Sequence, residues 1–379
     1  MITEFYIPTK IIAGAGSFNL LGNEARELGE HALLVTGQSS ARQTGLLDRA
    51  VSDLNEHGVS VVIFDKVESN PRSSTVDEGA NIMRTEKVDI VIALGGGSPM
   101  DAAKGMVIAA ASDYAVWHYI KSGETVASAT VKLITVPTVA GSGSEANCGA
   151  VITNWDTHEK CVLCDQRAYP AVSIIDPELT MTLPAKPTAQ GGVDIFCHLV
   201  EPYITAASPH PLTDGIVETT MKIVVDYLPH ALKKPGNLEA RAHLSWASTI
   251  ACSAFASLGG GNGSMTMHGM EHPLSGYYDM AHGDGLAALL PAYLKSLANI
   301  RMERLTKLGQ NVFGQTDGIA AVDSWLKEIG MDLALHNLGV TCDKLPELAE
   351  GALKTAPWLS QHPVKLDRDA ITNIYEAAY

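Results

Sequence analysis

At 379 residues the chain exceeds one domain of ~150, and 46% hydrophobic against 18% charged residues excludes wholesale disorder. Twenty-seven Lys and Arg against 42 Asp and Glu give a net charge of −15 with no basic block, so neither nucleic acid nor a membrane is expected as a partner. The six cysteines are scattered rather than set out as a disulfide framework, as expected for a reducing cytoplasm.

The opening MITEFYIPTK lacks a basic segment followed by an apolar run, so no leader is expected. Short β-branched runs at 31–36, 59–64, 88–94 and 131–136 then alternate with amphipathic stretches such as 44–56 and 75–85. Strand–helix–strand alternation predicts a parallel sheet with helices on both faces. The run 172–175, closed by Asp176-Pro177, is its last strand. From about Pro187 strand-like runs vanish, and helical segments follow between proline and glycine punctuation. The stretch 242–270 is free of Asp, Glu, Lys and Arg, but its glycine cluster at 259–263 argues against a membrane span. The expected organisation is an α/β domain over 1–183 and an all-helical domain over 184–379.

The run 88–94 enters Gly95-Gly96-Gly97-Ser98-Pro99-Met100-Asp101, a strand feeding a glycine turn that opens a helix. Ser98 is placed as N-cap, Pro99 as N1 and Asp101 as N3, similar to a capping box. Backbone N–H groups exposed by the glycines, together with the helix dipole, suit a pyrophosphate. The turn is neither a Walker A loop nor the G-x-G-x-x-G fingerprint. A second polar loop, with Thr138 and Ser142, follows the next strand, where open parallel sheets bind ligands.

In the second half, Asp194 and His198 are spaced i, i+4 on one helix face, as are His268 and His272, and His282 lies ten residues beyond His272. A carboxylate with imidazoles from several helices suits a divalent transition metal. Spacing alone leaves open which three imidazoles bind. Cys161-Val162-Leu163-Cys164, one C-x-x-C without a second pair, reads as part of a strand.

Taken together, GGGSPMDAAK (95–104), TVPTVAGSGSE (135–145), DPELT (176–180), GGVDIFCHLVEPY (191–203) and HGMEHPLSGYYDMAHG (268–283) closely resemble the iron-containing (group III) alcohol dehydrogenases over essentially the whole chain. The resemblance implies a dinucleotide-binding α/β domain and an all-α domain, the dehydroquinate synthase-like architecture, with the active site in the cleft between. It further implies Asp194, His198, His268 and His282 as ligands of Fe²⁺ or Zn²⁺. Gly95, Gly96, Gly97 and Ser98 match the pyrophosphate loop, and Asp101 belongs to the same motif. Thr138 and Ser142 match the second loop, Lys160 a lysine reaching the cofactor ribose, and Asn70 an adenine-side contact. His272 matches a histidine near the nicotinamide. A fifth ligand would crowd the position a substrate oxygen needs, so His272, with an ordinary pKa of about 6.5, is read as a proton carrier.

Many NAD-using members carry an aspartate after the first long strand, where this chain has Gly37-Gln38-Ser39-Ser40-Ala41-Arg42. Without that carboxylate, Gly37, Ser39, Ser40 and Arg42 are expected to accept a 2′-phosphate, which favours NADP(H) over NAD(H). Asp65, at the end of the next strand, is the counter-evidence. The MEHPLSGYYDMAHG context (270–283) leans towards the butanol-dehydrogenase-like, NADPH-dependent aldehyde reductase branch. Hydride exchange with a small primary alcohol or aldehyde is therefore expected, in a cytoplasmic homo-oligomer that the resemblance makes a dimer. A lyase resembling 3-dehydroquinate synthase is the alternative, but it must bind a polyhydroxylated, phosphorylated substrate, and no basic cluster lies near these ligands in sequence.

Overall fold

Eight strands are formed among the described residues: β1 (Lys10–Ala13), β2 (His31–Gly37), β3 (Ser60–Val67), β4 (Ile90–Gly95), β5 (Lys132–Pro137), β6 (Gly149–Asn154), β7 (Glu159–Cys164) and β8 (Val172–Ile175). Six build one parallel sheet in the order β1-β8-β5-β4-β2-β3, and β6 and β7 form a separate pair. The computed structural model describes residues 5–126, 130–258 and 263–379. The first four residues of the opening decapeptide and most of the glycine cluster, 259–262, lie outside the described residues. By packing, the chain divides into two units. One comprises Ile7–Thr157 and Cys161–Leu183, and the other Pro184–Tyr379 with Phe5, Tyr6 and His158–Lys160.

In the first unit, all six residues of β4 are buried, as a central parallel strand covered on both faces requires. Strand alternation divides them between two cores. Ile90, Ile92 and Leu94 pack with Leu47, Ala50 and Leu54 of α1 (Leu46–Glu56). Val91 and Ala93 face Val76, Ala80 and Met83 of α2 (Ser73–Glu86) and Met100, Ala103 and Met106 of α3 (Gly97–Ala110). The helix expected over 44–56 starts later, because Gly45 is left-handed at φ 71° and separates it from a short turn at Ser40–Gln43.

The expected capping box does not form. Helix α3 begins at Gly97 with Gly96 as N-cap and no side-chain cap. Ser98 Oγ donates instead to the carbonyl of Ser69. Asp101 accepts from Ser144 Oγ at 2.6 Å and Val151 N–H at 2.8 Å. Donors from distant chain segments take the carboxylate that a local cap would use.

Apart from Glu159 and Lys160 of β7, the regular structure of the second unit is helical among its described residues. The helices that matter for the site are α4 (Ala185–Thr205), α5 (Pro211–Lys233), α6 (Leu238–Ala251), α7 (Thr266–Tyr278) and α8 (His282–Ser296). Left-handed Asp279 (φ 52°) ends α7, so His282 can open α8 three residues later. No described helix is long and apolar enough to cross a membrane.

Candidate active site

In the first unit, the connection after β2 runs towards one sheet edge and that after β4 towards the other, so strand order reverses between these neighbours. The carboxyl ends of strands at such a switch point form the usual ligand crevice of an open parallel sheet. Gly37 closes β2, and Gly95, Gly96 and Gly97 carry β4 into α3. Thr138 N–H donates to Gly95 O at 2.9 Å, tying the second loop to the first. A Cβ on Gly97 would lie 2.8 Å from Ser142 Oγ, so only glycine lets the two loops approach this closely. Buried Lys104 fixes the second loop from below, donating to Ser144 Oγ, Asn147 Oδ1 and Gly149 O at 2.8–3.0 Å. Asn70 is buried beside Ser69, whereas Ser39 and Ser40 are exposed. Arg42 is ion-paired with Asp65 at 2.6 Å, so the two groups with opposing implications for a 2′-phosphate face each other.

In the second unit, Asp194 and His198 come from α4, His268 from α7, and His282 is the first residue of α8. Asp194 Oδ1 lies 3.4 Å from His198 Nδ1, 3.5 Å from His268 Nε2 and 3.7 Å from His282 Nε2. Ligand atoms of Asp194, His268 and His282 all lie within 4.8 Å of one another. His198 stands beside that set; its ring packs on His268 with centroids 4.4 Å apart and also hydrogen-bonds Cys252. Asp194 Oδ1, His198 Nδ1 and His268 Nε2 are buried without a hydrogen-bond partner, a costly condition for polar atoms. A tetrahedral ion with ligand bonds of ~2.1 Å separates its ligands by roughly 3.4 Å. The residues therefore fit a divalent metal, whose bonds would satisfy the atoms that lack partners.

Two further carboxylates hold the imidazoles in place. Glu201, two helical turns beyond Asp194 on α4, is fully buried. It accepts from the backbone N–H of Met267 at 2.6 Å and of His268 at 3.1 Å, and from His268 Nδ1. Helix α7 has no side-chain cap of its own, so Glu201 supplies one from a neighbouring helix while fixing the ring. Glu271, also fully buried, accepts from His282 Nδ1 and Ser275 Oγ, and Lys160 Nζ lies 3.6 Å away. Each carboxylate engages Nδ1, so each ring aims its Nε2 towards Asp194, where a bound metal would take the lone pair. Gly285 makes room, since a Cβ there would lie 2.9 Å from Glu271 Oε1.

The electrostatics follow from this arrangement. Burial would raise the Asp194 carboxyl, but His198, His268 and His282 hold it well below the carboxylate range. Burial would lower His268, yet Glu201 and Asp194 push it up to about 10. Burial also opposes ionisation of Glu271, which His282 and Lys160 overcome. His272 differs from its expected ordinary pKa. Burial and the Lys160 charge drive it well below 6.5, so the ring is neutral around pH 7. It packs edge-on to Trp358, centroids 5.9 Å apart, and its Nδ1 is buried without a partner.

With this geometry established, comparison with known proteins decides the family. Residues 8–177 match the model described as iron-containing alcohol dehydrogenase, and 188–379 match the C-terminal model of the Fe-containing alcohol dehydrogenase family. The chain belongs to the iron-containing alcohol dehydrogenase family. NADH-dependent butanol dehydrogenase B of Clostridium acetobutylicum is 35% identical over 365 residues, covering 93% of each chain. The NADPH-dependent aldehyde reductase YqhD of Escherichia coli is 29% identical over 99% of each. The crystal structure of an archaeal halo-thermophilic alcohol dehydrogenase from a Red Sea brine pool superposes with a TM-score of 0.93 at 30% identity, covering 100% of this chain and 99% of that one. As a family member the protein is an oxidoreductase of α/β-plus-helical architecture, and the lyase alternative is not favoured.

Glu201 and Glu271 were not singled out from the sequence. The available signal was positional: Glu201 is i+7 from Asp194, and Glu271 is i+3 from His268. Replacing Glu271 or Glu201 with Ala is expected to weaken divalent-metal affinity ~10–100-fold, as loss of a partner behind a ligating histidine typically does. Competition against a chromophoric chelator measures this directly, with circular dichroism as the check on folding.

Proposed function

We propose that the protein interconverts small primary alcohols and aldehydes with NADP(H), using one Fe²⁺ or Zn²⁺ held by Asp194, His198, His268 and His282. The observation that carries this reading is one buried carboxylate oxygen within 3.4–3.7 Å of three imidazole nitrogens. When bound, such an ion polarises a carbonyl or stabilises an alkoxide, and the nicotinamide supplies or accepts the hydride. Gly95, Gly96, Gly97 and Ser98 offer backbone N–H donors to the cofactor pyrophosphate, with Thr138 and Ser142 on the opposing loop. Asp101 keeps that loop in place, and Asn70 and Lys160 serve the adenine and ribose sides. The −15 net charge and the absence of a membrane-length helix among the described residues suit a cytoplasmic enzyme, and the family resemblance suggests a dimer.

His272 is assigned to proton traffic. A neutral imidazole accepts at one nitrogen while donating from the other, so it relays a proton without ever resting as a cation. The depressed pKa imposed by burial and Lys160 suits that role.

For the cofactor, Arg42 and Asp65 form an exposed pair, of a kind worth at most about 1 kcal/mol. A 2′-phosphate offers Arg42 a stronger partner, with Ser39 and Ser40 beside it. Relatives of both preferences exist, one named as NADH-dependent and one as NADPH-dependent. The missing aspartate at Gly37 supports the second.

The test of the whole reading is elemental analysis with steady-state kinetics on short aldehydes, after reconstitution with each metal. His282→Ala is expected to lose metal and activity together while retaining its fold; full metal occupancy in that variant would overturn the ligand assignment. His272→Gln should keep its metal, lose ~10²–10⁴-fold in kcat and change the pH profile. A Cβ at Gly37 meets nothing closer than 3.8 Å, so Gly37→Asp fits sterically and should shift kcat/KM from NADP(H) to NAD(H). Kinetics of the unmodified enzyme favouring NADH would instead make Asp65 the determinant.

A further inference from the structure

Two thiols outside this machinery lie in contact. Cys148, just before β6, and Cys164, the last residue of β7, have their sulfurs 3.4 Å apart although 16 positions separate them in sequence. The C-x-x-C at 161–164 is a different matter. Three positions along a strand place Cys161 and Cys164 on opposite faces, and accordingly Cys161 is buried while Cys164 is exposed. A disulfide needs sulfurs at about 2.05 Å, so side-chain rotation with a small strand adjustment closes the gap.

We propose that Cys148 and Cys164 form a peroxide-sensitive dithiol site, with Cys164 as the reacting thiolate and Cys148 as the resolving thiol. Lys104 places a fixed ammonium below the pair, bonded to Asn147 and Gly149 on either side of Cys148. The hydrogen bond from Cys148 holds the Cys164 thiol down at about 6, with burial opposing and Lys104 assisting. The same contact, together with burial, pushes the Cys148 thiol up; Cys164 is the exposed sulfur and Cys148 the more sheltered one, so peroxide meets Cys164 first.

The chemistry balances. The Cys164 thiolate attacks one oxygen of hydrogen peroxide, the O–O bond breaks, hydroxide leaves, and Cys164 becomes a sulfenic acid. Cys148 sulfur then attacks Cys164 sulfur and the S–O bond breaks. The thiol proton of Cys148 leaves with that hydroxyl as water. The two sulfurs together lose two electrons and the peroxide gains two. Where thiols are kept reduced, such a bond is transient, as befits a sensor rather than a structural link.

The experiment is a non-reducing peptide map of the full-length protein after a small excess of hydrogen peroxide at neutral pH. The expected result is an intrachain Cys148–Cys164 linkage, loss of two of the six thiols, and reversal by dithiothreitol. Cys148→Ser should leave a sulfenic acid on Cys164 that dimedone traps, and Cys164→Ser should leave Cys148 an unmodified thiol. Oxidation of exposed Cys342 while Cys148 and Cys164 stay reduced would overturn the proposal, as would a linkage only between chains. Should either variant misfold, the wild-type map decides alone.

Discussion

A carboxylate sealed away from water must find donors within the protein, and Glu201 finds three: the Met267 and His268 N–H groups and the His268 ring. That one side chain closes the start of α7, joins α7 to α4 and sets the tautomer of an imidazole facing Asp194. Glu271 repeats the logic one helix later, joining α7 to α8 through His282. Remove these bonds and three helices lose their common reference. The rings would still lie nearby, but their lone pairs would no longer be aimed. The arrangement of the helical unit thus follows from the need to satisfy buried charge as much as from apolar packing.

The α/β unit solves a different problem. Its loops must leave backbone N–H groups open to a ligand, yet stay fixed. Burying β4 on both faces gives the glycine turn a rigid root, and the contact between Gly97 and Ser142 braces one loop against the other. Lys104 and Asp101 both hold the second loop through Ser144.

Much of this was legible in the sequence, for reasons that differ by residue. The β4 run and its glycines are local signals: a fully apolar strand and a tight turn can each be read within ten residues. Asp194 and His198 share a helix face by spacing alone. What spacing could not supply was tertiary. Asp101 reads locally as a helix-capping acid, but Ser144 and Val151, more than forty residues away, take its oxygens. His272 reads as an imidazole of ordinary pKa until the fold buries it and brings Lys160 near. Cys164 pairs by sequence with Cys161 and in space with Cys148. In each case the deciding partner is remote in the chain, and periodicity carries no information about it.

Charge bookkeeping around the imidazoles has one more consequence. Rings that ligate a metal must be neutral, so with an ion bound the carboxylates of Asp194, Glu201 and Glu271 are offset by Lys160 alone. The cluster therefore carries two uncompensated negative charges in a medium of low polarisability. A dication brings it to neutrality, whereas a trication would leave a positive excess with little water to screen it. An iron ion held there would be better balanced in charge as ferrous than as ferric, which would leave electron transfer to the organic cofactor.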